Sequence, residues 1–300
     1  MFQKILSNNL LLLILLSSIW GSAFFAIKIS VESMNPVTVA SLRLIIGALF
    51  LYTYYKLKGN NEKISLNTLS IIFLIGLIGN FIPFFLISWS EQFIQSNTAG
   101  LLLSIAPILT LIFSHFFTKD DKFTYRKFLS ILIGLAGTIF IIGIDSIFYF
   151  SNNNSQNLIP KLAIIIAAFG YVISAILAYN LKNISILTIT TYVTIFAALI
   201  SLPFMIVVEI FNTSTIQLKS IASLIYLGIF PTAIAFVLRF YIISRAGPIF
   251  LSYVAYLIPV FAIFWGYIFL KETISFQTGI GVLFVLIGVF ISKKTNVQNS

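Results

Sequence analysis

Residues 106–120 read APILTLIFSHFFTKD, and residues 258–272 read IPVFAIFWGYIFLKE. In each, a proline stands inside an apolar run that closes, twelve residues later, on a lysine and an acid: Pro107 with Lys119-Asp120, Pro259 with Lys271-Glu272. The two prolines are 152 residues apart in a chain of 300, about half its length. A segment that recurs at half length marks a duplicated unit, and duplicated membrane units are a common way to build transporters. The match extends backwards: Ile64–Asp120 aligns without a gap on Ile216–Glu272, with Gly76, Phe84 and Leu86 falling on identical partners. Earlier still, Trp20-Gly21 pairs with Phe169-Gly170 and Thr38 with Thr188.

The chain is 59% hydrophobic and only 9% charged, with a mean hydropathy of +1.06. A soluble core cannot absorb so much apolar residue, so the expected solvent is lipid. A spanning helix needs roughly 20 mostly apolar residues. Runs of that kind are expected at Asn9–Ile29, Pro36–Tyr55, Leu66–Trp89, Ser96–Phe117 and Tyr125–Ile144. After the polar stretch 151–157 they resume at Pro160–Leu181, Ile186–Ile210, Ile221–Ser244, Pro248–Leu270 and Phe276–Ile291. The fold class is therefore an all-α integral membrane protein with ten transmembrane helices. Residues 1–150 form one five-helix repeat and 151–300 the second. Lys4 and the apolar run after it imitate a signal peptide, but no small-x-small cleavage site precedes Lys28, so the segment is expected to stay as the first helix.

Loop charge sets the orientation. With the N-terminus inside, twelve of the 18 lysines and arginines fall in inner loops, four at outer ends, and Arg43 and Arg239 within helices. The positive-inside rule then places both termini in the cytoplasm. Five helices per half is an odd number, so the second repeat is inverted relative to the first. The net charge of +10 is read as topology and attraction to anionic headgroups, with no nucleic acid as partner. The absence of cysteine excludes disulfides and thiolate chemistry. Abundant Ile, Phe, Asn and Lys suit an AT-rich bacterial genome, and a bacterial inner (cytoplasmic) membrane is the expected location.

The chain resembles the ten-helix EamA branch of the drug/metabolite transporter superfamily. The residues that carry the likeness are Trp20-Gly21-Ser22, Asn35-Pro36 through Ser41-Leu42-Arg43, Ala99-Gly100, Pro107 and Lys119-Asp120. In the second half they are Leu257-Ile258-Pro259-Val260 and Leu270-Lys271-Glu272. Asp120 stands where that family more often has Glu, and Phe169 where Trp is common. The resemblance implies a carrier with lipid and a small solute as partners.

Candidate pathway residues follow from cost. An arginine inside a membrane helix costs roughly 2.5–3.5 kcal/mol on insertion scales, so Arg43 and Arg239 should face protein or water. Each has two readings: snorkelling to the interface, or contact with an anion, since a guanidinium grips a carboxylate bidentately. Pro107 and Pro259 remove an N–H and disturb the carbonyl one turn earlier, either as simple kinks or as interruptions that mark a substrate site. Asn97 and Ser104, Ser174, Thr232 and Tyr256 lie on stripes of small and polar residues at helical spacing, which read as close packing or as the wall of a cavity. Asn80 and Trp20 can orient a polar ligand, although Trp20 also suits core packing. Glu91, after Trp89, is a candidate outer gate. His115 is the only histidine and is expected to be structural.

No facing acidic pair, Walker-type loop or His/Cys cluster is present, so neither catalysis nor a resident cofactor or metal is expected. The leading reading is a secondary transporter of a small polar metabolite, for instance an amino acid or derivative, working by alternating access. A coupling ion is left unidentified. A lipid flippase or scramblase shares these signals and is the alternative.

Overall fold

The computed structural model describes residues 8–60, 62–94, 96–142, 158–181, 184–210, 216–270 and 276–293, without the side chains of 96, 97, 142, 262, 266–270 and 293. All regular structure among them is helical. The helices of the first half are α1 (Asn9–Val31), α2 (Pro36–Leu57), α3 (Leu66–Ser90), α4 (Ser96–Leu103, resumed at Ala106–Phe117) and α5 (Tyr125–Ile142). Those of the second are α6 (Leu158–Asn180), α7 (Ile186–Glu209), α8 (Leu218–Ser252), α9 (Val254–Leu270) and α10 (Phe276–Lys293). Residues 143–157 and 271–275, with Lys271-Glu272, lie outside the described residues.

Local chemistry sets the starts. The Asn8, Asn35 and Ser185 side chains accept the N–H groups of Leu10, Val37 and Thr188, each satisfying an amide the helix leaves unpaired. Pro36 follows its cap in the first turn, where its missing N–H costs nothing. Pro160, third residue of α6, also lies in the first turn.

Seven helices among the described residues are long and apolar enough to cross a bilayer: α1, α2, α3, Thr98–Phe117 of α4, α6, α7 and α8. Their outer faces carry Phe25, Leu57, Leu162, Leu199 and Phe230 exposed, which suits hydrocarbon rather than water. This is a multi-pass membrane protein.

The halves interlock. α5 lies along α10, and α2 along α7. α3 packs on α6 and α7, while α8 packs on α1 and α2. Exchanging the halves turns each of these contacts into another that is present. Two buried clusters line the seams, one gathered round α1, α2, α7, α8 and α9, the other round α1, α4 and α6.

An interruption lies just before Pro107, as expected, whereas none lies at Pro259. α4 breaks at Ser104–Ile105, and Pro107 sits in the first turn of the resumed helix. α9 runs through Pro259, and its break lies upstream at Tyr253. The paired irregularities lie elsewhere, where α3 widens into π-helix at Leu77–Phe81 and α8 at Gly228–Ile234. The 152-residue offset lays one on the other, Gly76 on Gly228 and Asn80 on Thr232. Prolines account for both: Pro231 lies inside the second π segment, and Pro83 two residues beyond the first. A residue without an N–H cannot continue the α ladder, and a widened turn absorbs the defect.

Two helical pieces of α8 meet in a sharp corner at Gly247 (φ 83°), a left-handed conformation that favours glycine, and the second piece leads past Tyr253 into α9, forming the bent α8–α9 rod. Pro248 opens the next turn, as its place in the sequence implies.

Candidate functional site

A cavity with room for about 110 Å³ of solvent lies between α1, α2, α3, α4, α6 and the α8–α9 rod. Its wall is largely apolar, and both intramembrane arginines are part of it.

The π segment of α8 positions Arg43. Pro231 cannot donate to the carbonyl of Leu227, and the Thr232 hydroxyl donates to it instead, at 2.8 Å. The same hydroxyl accepts Nε of Arg43 at 3.2 Å. The guanidinium lies flat over Phe84, 3.7 Å from the ring centroid, an attraction of roughly 0.5–2 kcal/mol. Arg43 is only 3% exposed, and its two terminal amino groups donate to no protein group among the described residues.

Arg239 is held from α6. Its Nη2 donates to Ser174 Oγ at 2.6 Å and to the Tyr171 carbonyl at 3.4 Å. Tyr171, Phe236 and Phe240 surround the guanidinium, with ring centroids 5.4–5.8 Å from Cζ. Nη1 is buried without a partner. The site depends on close approach of α3 and α6: a Cβ at Gly79 would lie 2.2 Å from Cβ of Ser174. No acidic residue among those described pairs with either arginine or lines the cavity. Two buried cations thus line one cavity with no acidic counter-charge from a described residue.

The other sequence candidates are dispersed. Trp20 lines the cavity, but its indole N–H donates to the Pro231 carbonyl at 3.0 Å, tying α1 to the π segment. Ser174 and Thr232 act behind the wall as arginine supports. Asn80 is fully buried in the α3 π segment with both amide atoms unpartnered. The Ser104 hydroxyl turns back to the Leu101 carbonyl at the α4 break. Tyr256 is buried with an unpartnered hydroxyl, its ring pressed against Gly134. Pro107 and Pro259 are buried and absent from the wall, yet Leu103 and Ala255, the residues one turn earlier to whose carbonyls they cannot donate, both line it. The Asn97 side chain lies outside the described ones. Glu91 is fully buried at the end of α3, and its carbonyl accepts the Lys28 ammonium at 2.6 Å. His115 accepts the Phe123 N–H, a loop contact distant from the cavity wall.

Sequence reasoning missed Tyr171 and Phe84. Each had a signal: Tyr171 follows Gly170 of the repeated aromatic-glycine pair, and Phe84 recurs as Phe236.

The EamA-like transporter family profile matches twice, at residues 8–143 and again at 158–293. The chain belongs to the EamA-like transporter family. Relatives of this EamA-like protein span almost its whole length. An uncharacterised transporter of Bacillus subtilis (strain 168), YoaV, is 24% identical over 278 residues, 92% of this chain and 94% of its own. An S-adenosylmethionine/S-adenosylhomocysteine transporter of Chlamydia muridarum (strain MoPn / Nigg) is 24% identical over 288 residues, 92% of this chain and 89% of its own. A solved crystal structure superposes with a TM-score of 0.77 at 17% identity, covering 97% of this EamA-like chain and 99% of that one, a likeness of fold. Among the described residues no group of three or more His, Cys, Asp or Glu could hold a metal ion.

Proposed function

We propose that this membrane transporter is a secondary carrier of a small polar metabolite, and that Arg43 receives the metabolite's carboxylate. An amino acid or a derivative fits that description, and the named Chlamydia relative handles two amino-acid derivatives. The carrier works by alternating access in a bacterial cytoplasmic membrane. Its ten membrane helices form two inverted five-helix units, residues 1–150 and 151–300, with both termini in the cytoplasm. Support comes from the twofold profile match, the half-exchanging contacts and the π segments at equivalent positions. The observation that carries the substrate reading is Arg43: its Nε is fixed on Thr232, its face on Phe84, and its terminal amino groups are left for a ligand.

The test is uptake by the purified protein in proteoliposomes, using labelled amino acids and S-adenosylmethionine across imposed pH and sodium gradients. Arg43→Ala should lower uptake of the transported carboxylates at least tenfold, the loss of about 1.4 kcal/mol or more of binding. Undiminished transport of every anionic substrate by Arg43→Ala would falsify the assignment.

A further inference from the structure

The cavity holds a second cation for which a single carboxylate leaves no partner. Arg239 is only 2% exposed, and its Nη1 donates to no group among the described residues. The two arginines lie against different rings of one packed pair. Arg43 sits on Phe84, Phe84 packs against Phe236 at 5.7 Å, and the Arg239 guanidinium lies 5.6 Å from Phe236. Different helices also anchor them, with Thr232 of α8 behind Arg43 and Ser174 of α6 behind Arg239. The remaining wall is mostly alkyl and aryl, with no carboxylate among the described residues to meet a ligand's ammonium.

We infer that the preferred ligand is an organic dianion with its two acidic groups at opposite ends of a short apolar body. One carboxylate lies on Arg43, the other on Arg239, and the body lies against the apolar wall. This rests on the reading of Arg43 as a carboxylate receptor and adds the second charge, the spacing and the apolar middle. A dianion neutralises both guanidinium groups in a low-dielectric site, whereas a zwitterion brings a third cation beside them.

The experiment is ligand-induced thermal stabilisation and equilibrium binding on the purified, detergent-solubilised full chain. The probes are adipate, monomethyl adipate, 2-aminoadipate and phenyl phosphate. Adipate should bind about tenfold or more tightly than its monomethyl ester, the effect of one charge-assisted contact. It should also bind more tightly than 2-aminoadipate, which carries the extra ammonium, and than phenyl phosphate, which puts both charges at one end. In Arg239→Gln the advantage of adipate over its monoester should vanish, and in Arg239→Lys it should persist in reduced form, because the charge stays and the fork is lost. The wild-type series needs no variant, so a misfolded mutant cannot shield the proposal. Equal binding of adipate and its monoester, or tighter binding of phenyl phosphate or 2-aminoadipate, overturns the dianion. If monomethyl adipate still binds through Arg43 in those cases, the carboxylate reading survives. If no carboxylate binds wild type, both readings fall.

Discussion

Phe84 and Phe236 occupy equivalent places in the two repeats, 152 residues apart, and their rings pack together with centroids 5.7 Å apart. A residue that touches its own repeat partner lies at the line about which the halves are exchanged. Arg43 lies over Phe84 and Arg239 beside Phe236, and of the two rings Phe84 reaches the cavity wall. Phe84→Leu keeps apolar volume and removes the ring face under Arg43. Its effect should depend on Arg43: a double-mutant cycle with Arg43→Lys, read by carboxylate binding, should give a coupling of about 0.5–2 kcal/mol. Strict additivity would show that the stacking carries no energy.

Thr232 has two tasks, and its variants separate them. Thr232→Val leaves the Leu227 carbonyl and Arg43 Nε without this partner at a buried position. Unsatisfied buried groups cost about 1–3 kcal/mol each, so a lower Tm and weaker carboxylate binding are both expected. Thr232→Ser keeps the hydroxyl and should restore most of each. Equal behaviour of Val and Ser, measured by thermal unfolding and binding together, would remove the hydroxyl from the account.

Trp20 is a sharper case because two roles were open for it in the sequence. Its N–H is taken up by the Pro231 carbonyl, and its ring lies edge-on to Phe236 at 6.3 Å. Trp20→Phe should therefore lower stability by about 1 kcal/mol through the lost hydrogen bond. Binding should change less than it does in Arg43→Lys. A variant of unchanged Tm but abolished binding would return the indole N–H to the ligand.

What could be read in the amino-acid order depended on the physical signal each feature leaves. Helix existence was legible because apolar runs of membrane length are unmistakable, and Gly247-Pro248 marks a corner by composition alone. Arg43 and Arg239 stood out because an arginine is conspicuous in a run such as Ser41–Phe50 or Ala235–Ile243. The π segments were not legible: a widened turn leaves the run apolar, and only Pro83 and Pro231 hinted at it. The Phe84–Phe236 contact was equally hidden, since the alignment pairs the residues without saying that they touch. Asp121, next to the Asp120 of the repeated Lys-acid pair, was not singled out in the sequence. Asp120 is exposed, whereas Asp121 is 8% exposed and bonded across the halves.

That acid yields its own prediction. One carboxylate oxygen of Asp121 accepts the Ile249 N–H at 2.8 Å, and the other accepts the Lys127 ammonium at 2.7 Å. The aspartate thus caps the turn that begins after Gly247 and ties the loop behind α4 to the α8–α9 rod. Charged hydrogen bonds of this kind contribute about 1.5–3 kcal/mol. Asp121→Ala should lower the Tm by several degrees, and by more than Asp120→Ala, whose side chain is exposed. A Gly247→Ala variant should resemble Asp121→Ala, because a Cβ there would lie 2.6 Å from the same carboxylate on a left-handed backbone. Equal loss from Asp120→Ala and Asp121→Ala would place the cap elsewhere.

The inverted arrangement is open to a direct chemical test because the chain has no cysteine to interfere. Asp120 follows α4, and Glu272 occupies the matching position after α9. Under the proposed five membrane helices per half, equivalent points of the two repeats would lie on opposite sides of the bilayer. The proposed orientation puts Asp120 in the cytoplasm and Glu272 outside. Asp120→Cys and Glu272→Cys, expressed separately in intact cells, should then answer differently to a membrane-impermeant maleimide. The Glu272→Cys protein should label at once, and the Asp120→Cys protein only after the cells are opened. Labelling of both from one side requires an even number of crossings between them, which five inverted helices per half cannot supply.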